Sequence, residues 1–75
     1  MIKNYEYELS TINLVHFNNI KHLFKKFNIF YESLAYTDED TKIYKILYSE
    51  ADIDACTKKD EFLNLLEDLA LLYNL

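Results

Sequence analysis

The stretch Ile29–Tyr48, IFYESLAYTDEDTKIYKILY, decides the fold. Residues 29–36 and 42–48 are rich in β-branched and aromatic side chains, and the polar cluster Thr37-Asp38-Glu39-Asp40-Thr41 separates them. Such side chains favour extended backbone, so two runs joined by a short polar break predict a hairpin with a loop of about five residues. In the second run Ile43 and Leu47 alternate with Tyr44, Ile46 and Tyr48, which places apolar groups on both faces, as a central strand requires.

Upstream of the hairpin, residues 3–9 alternate polar and apolar with period two, and Tyr5, Tyr7 and Leu9 share one face. This predicts a half-buried first strand. Ser10, Thr11 and Asn13 then offer helix caps. From Leu14 to Phe27 the period becomes helical: Phe17, Ile20, Phe24 and Phe27 form a stripe, with Asn18, Lys21, His22 and Lys25 away from it. Lys25 and Lys26 in the last turn complement the helix dipole, and Asn28 serves as the stop.

Downstream, after the acidic run Glu50-Ala51-Asp52-Ile53-Asp54, Thr57 and Asp60 have the spacing of a capping box. Phe62, Leu65, Leu66, Leu69, Leu72 and Tyr73 then define a broad apolar helix face opposed by Asp60, Glu61, Asn64, Glu67 and Asp68. Leu71 falls among the polar residues and is a candidate exposed contact.

The order strand, helix, strand, strand, helix predicts an α+β fold of βαββα type, a single domain over residues 1–75. A right-handed crossover joins the first two strands and the third inserts antiparallel between them, giving a three-stranded sheet of order 1-3-2 with two helices on one face. The layout resembles a truncated split β-α-β, ferredoxin-like arrangement. The other sheet face is then open and carries several tyrosines.

The 75 residues contain no Gly and no Pro. Phosphate-cradling loops, dinucleotide fingerprints and nucleophile elbows need glycine where backbone approaches a ligand or turns sharply, so those chemistries are excluded. An AT-rich coding sequence would give part of the same skew, since all eight basic residues are Lys and Arg is absent. A hydrophobic content of 51% in so small a chain exceeds what one core can hide, and predicts apolar surface used against a partner. The single Cys56, the lack of an apolar leader at Met1-Ile2-Lys3-Asn4-Tyr5 and the lack of a membrane-spanning run point to the cytoplasm.

Charge is uneven. Residues 1–28 hold four Lys against two Glu, net +2, whereas residues 29–75 hold four Lys against eleven acids, net −7. The negative portion repels phosphate backbones, so direct nucleic-acid binding is disfavoured and a basic partner favoured. The topology sets Glu50, Asp52 and Asp54 beside Lys25 and Lys26, where they are partly neutralised, and leaves unneutralised negative charge at the other end, where Asp38, Glu39 and Asp40 lie near Glu67 and Asp68.

Other constellations are weaker. His16 and His22, six apart, do not share a helix face as a metal-binding pair four apart would, and read as solvent or boundary residues. A calcium loop starting at Asp38 would need glycine at its sixth place and Glu at its twelfth, where Ile43 and Ser49 stand. Cys56 reads as a half-buried structural thiol, because no glycine-based oxyanion turn accompanies it. No catalytic residue, metal or cofactor is expected.

In size, acidity and lack of catalytic motifs, carried by stretches such as Thr37–Thr41 and Glu50–Asp54, the chain resembles the small virus-encoded inhibitors of host defence, anti-CRISPR proteins and DNA mimics among them. That resemblance implies a non-enzymatic inhibitor that blocks a basic, nucleic-acid-binding site on a host protein without touching nucleic acid or membrane. The expected partner-binding residues are Asp38, Glu39, Asp40, Glu67, Asp68, Tyr36, Tyr44, Tyr48 and Leu71. The same residues also admit a homodimeric regulatory or antitoxin-like protein, paired through an edge strand or the helix bearing Leu71.

Overall fold

In the computed structural model, which describes residues 5–73, the chain runs β1 (Tyr7–Thr11), α1 (Leu14–Lys26), β2 (Glu32–Asp38), β3 (Thr41–Tyr48), α2 (Glu50–Asp54) and α3 (Lys59–Tyr73). The strands form one sheet of order β1-β3-β2, with β3 antiparallel to both neighbours. The α+β class and the central place of β3 are as the residue pattern predicts.

Boundaries moved where polar residues took strand roles. Ser10 and Thr11 extend β1 by pairing with Lys45 and Tyr44 instead of capping α1. Asn13 alone does the capping, its side-chain oxygen accepting the His16 N–H at 3.1 Å. Lys3 and Asn4 of the predicted strand lie outside the described residues. α2 was not expected. It opens with Ser49, whose hydroxyl accepts the Asp52 N–H and donates to the Asp52 carboxylate at 2.6 Å, and it buries Ile53. α3 begins two residues beyond the predicted Thr57 cap, with the Lys58 carbonyl accepting the Phe62 N–H at 3.0 Å.

The chain turns without glycine at two places. Asn28, after α1, has φ of 56°, and the Asn28 and Ile29 N–H groups donate to the carbonyls of Lys25 (3.1 Å) and Phe24 (3.0 Å). This is the Schellman closure, and its usual apolar contact is supplied by Ile29 and Phe24, both buried in the same cluster. The hairpin loop is shorter than predicted. Asp38 pairs with Thr41, leaving only Glu39 (φ 48°) and Asp40 (φ 69°) in a two-residue turn with the positive φ pair of type I′.

Beneath α1 the sheet presents Tyr44, Ile46 and Tyr48. Phe17 stacks on Tyr44 with ring centres 4.8 Å apart, and Phe24 meets Tyr48 at 5.1 Å, Tyr31 at 5.4 Å and Phe62 of α3 at 5.0 Å. α3 packs against α1, and Phe62 is as completely buried as Phe24. Full burial of such rings contributes roughly 2–3 kcal/mol each.

The expectation that the opposite sheet face carries several tyrosines is corrected. Register places Tyr7 opposite Tyr48, and their rings stack at 5.2 Å on the α1 side. The other face holds Glu8, Ser10, Glu32, Leu34, Tyr36, Ile43, Lys45 and Leu47, with Tyr36 its one tyrosine among the described strand residues. Rings bury more apolar area than aliphatic side chains, so the face richer in tyrosine is the one α1 covers. His16, read as a boundary residue, is buried.

Candidate interaction surfaces

β2 is exposed along its whole length, and among the described residues β3 is its only strand neighbour. Its turn sets Asp38, Glu39 and Asp40 at the end of a projecting arm, all three exposed. Among the described residues no hydrogen bond or ion pair engages these carboxylates. On the same arm Leu34 and Tyr36 are about two-fifths exposed, and the Lys45 ammonium lies 5.4 Å from the centre of the Tyr36 ring. Lys45 also pairs with Glu8, and the Glu8 carboxylate and the Tyr36 hydroxyl together raise its pKa.

The acids at the opposite end are engaged within the chain. Asp52 is held by Ser49, the Glu6 carboxylate accepts the Glu50 N–H at 2.7 Å, and Asp54 pairs with Lys59 at 3.1 Å, which raises the Lys59 pKa. Neutralisation at this end therefore comes to Asp54 from Lys59 on the following helix, where Lys25 and Lys26 were expected to supply it.

The expected partner-binding residues divide into three groups. Asp38, Glu39, Asp40 and Tyr36 share the arm. Glu67, Asp68 and Leu71 are on α3, whose packing partner is α1 and whose Leu66 and Ala70 line a cleft shared with Leu9 and Ser10 of β1, the strand on the far side of β3 from β2. Leu71 is exposed, as its place among polar residues implies. Tyr44 and Tyr48 lie on the covered face, and Tyr48 is a correction. It is 7% exposed, enclosed by Phe24 and Tyr7, and burial raises its pKa, so its ring is unavailable to a partner.

Two surface features escaped the residue pattern. Ile12, Leu14 and Val15 are exposed around the Asn13 cap, where they break the stripe of α1. A groove of about 380 Å³ also runs between α1 and α3. Leu23, Leu65, Leu69 and Leu72 supply its apolar surface, with His22 and Lys26 on the α1 wall and Asp68 on the α3 wall. The signal for it was present: His22 and Lys26 are one turn apart, as are Leu65 and Leu69.

Cys56 is half-buried and its thiol donates to the Phe27 carbonyl at 3.7 Å, which ties the start of the last segment to the end of α1. Among the described residues no three His, Cys, Asp or Glu side chains converge as a metal site, and no helix is long and apolar enough to cross a membrane. Comparison with protein-family models, curated proteins and solved structures found no match to this chain.

Proposed function

We propose that this chain is a non-enzymatic interaction protein that occupies a basic, nucleic-acid-binding site on another protein, in the manner of a phage or mobile-element inhibitor of CRISPR-type defence. The observation that carries the reading is the arm: three consecutive exposed carboxylates at a two-residue turn, with no hydrogen-bond or ion-pair partner among the described residues. Carboxylates held this way stand in for phosphates. They steer the encounter toward a Lys- or Arg-lined groove by long-range attraction, and close contact then follows. Tyr36 and Leu34, exposed on the same arm, supply the apolar part of that contact.

The test uses the whole chain as bait to recover its partner from native-cell extract, followed by association kinetics with the purified partner. Replacing Asp38→Asn, Glu39→Gln and Asp40→Asn together is expected to slow association about tenfold at low salt and to flatten its salt dependence. Unchanged rates at low salt would remove the phosphate-mimic reading. A partner that still binds nucleic acid when saturated with this chain would remove the blocking role.

A further inference from the structure

We propose that the face formed by α1 and α3 binds a second copy of this chain. The inference stands apart from the reading of the β2–β3 arm. α1 carries Lys21, Lys25 and Lys26 and no acid, whereas α3 carries Asp60, Glu61, Glu67 and Asp68 against Lys59. A positive helix therefore lies against a negative one. The two run antiparallel: Phe24 and Phe27 meet Phe62 at one end of the pair, and His16 lies near Ala70 at the other.

The groove between them is apolar below and charged along both walls. Helical spacing sets Val15, His22 and Lys26 on one stripe of α1, and Glu61, Leu65, Asp68 and Leu72 on one stripe of α3. Val15 is 60% exposed and Leu72 is 65% exposed, so both apolar ends of the stripes face water. Among the described residues no ion pair takes up Lys26, Glu61 or Asp68.

Charge complementarity selects the occupant. A two-fold axis running parallel to the helices lays α1 of one copy antiparallel over α3 of the other, so each positive stripe meets a negative one twice. Lys26 then faces the partner's Glu61 and Val15 faces the partner's Leu72. The four helices then stack as two antiparallel pairs, the packing of an antiparallel bundle. A partner helix of a single sign would match one wall and repel the other. This arrangement also leaves both acidic turns at the outside of the pair.

Sedimentation equilibrium of the full chain, from about 1 to 500 μM in low salt, tests the assignment over the range in which modest interfaces dissociate. The expected mass rises with concentration toward twice 9.0 kDa. Leu72→Glu is expected to weaken the dimer at least about thirtyfold, with helix content and melting temperature unchanged at the dilute end of the range, where the parent is monomeric and the Leu72 side chain is already largely in water. Lys26→Glu alone is expected to weaken it about tenfold, and Lys26→Glu combined with Glu61→Lys to restore it. A 9.0 kDa species at every concentration overturns the proposal. So does a dimer indifferent to Leu72→Glu and lost with Leu34→Glu, which would place the contact on the sheet, or a charge swap that fails to restore what Lys26→Glu removes.

Discussion

On β3, Tyr44, Ile46 and Tyr48 point one way while Ile43, Lys45 and Leu47 point the other, and the two sets are offset by a single residue. The first set lies under α1 in contact with Phe17 and Phe24, with Ile46 only 1% exposed. The second stays half-buried, its central Lys45 held by Glu8 and resting over Tyr36. Period-two alternation supplies two comparable faces, and the rings on α1 decide which becomes the core. Stability is thus concentrated on one side of a strand whose other side remains open to contact.

The largest effect should separate these faces. Phe24→Ala removes a fully buried ring that touches three others, and is expected to lower unfolding free energy by about 3–5 kcal/mol in urea titration. Leu34→Ala, on the exposed face, is expected to cost less than about 1 kcal/mol. Equal losses would mean that both faces contribute to the core.

The arm gives the next largest change, of opposite sign. Glu39 and Asp40 hold positive φ without being glycine, at a steric cost of roughly 1 kcal/mol for each. Glu39→Asn with Asp40→Gly is the preferred pair for this turn, and is expected to raise unfolding free energy by about 1–2 kcal/mol. No gain would show that the turn relaxes in solution, and with it the fixed placement of the carboxylates.

A smaller signal comes from His16, on the buried face of α1 near Leu9, Ile20 and Leu66, where burial lowers its pKa below the ordinary 6.5. The unfolded chain gains a proton as pH falls through about 6.5, while the folded chain resists it. Stability present above that pH is therefore lost below it, until the folded-state value is passed. Melting temperatures of the parent and of His16→Leu, compared between pH 7.5 and 5.5, should diverge on the acid side, with the parent falling more steeply. Parallel curves would place His16 in water.

Much of the architecture was legible in the residue pattern, for reasons that mark where it stopped being so. Ile29–Tyr48 declared a hairpin and a central strand, because apolar groups on both faces suit no edge position. The polar run Thr37–Thr41 reads as a loop of about five residues because it interrupts the apolar alternation, yet strand pairing needs no apolar side chain and reaches Asp38 and Thr41. α2 is too short to show a period, and only the Ser49 and Asp52 spacing announced it.

Of the expected contact residues, Asp38, Glu39, Asp40 and Tyr36 come together because they are adjacent on one strand and its turn. Glu67 and Asp68 share their end of the chain's layout, but α3 packs beside α1, toward β1. Charge totals along a sequence say how much acid a segment holds, while helix packing says which side of the molecule receives it. Tyr48 was lost to the core because alternation cannot tell which face a helix will cover.

The ring of Phe24 touches residues drawn from before β2, from the end of β3 and from α3, elements encoded far apart in the chain. A nascent chain halted before Phe62 emerges would leave that ring without its last neighbour. Folding of this unit should accordingly finish in one all-or-none step once α3 has been synthesised, with no stable half-built form for a protease to select.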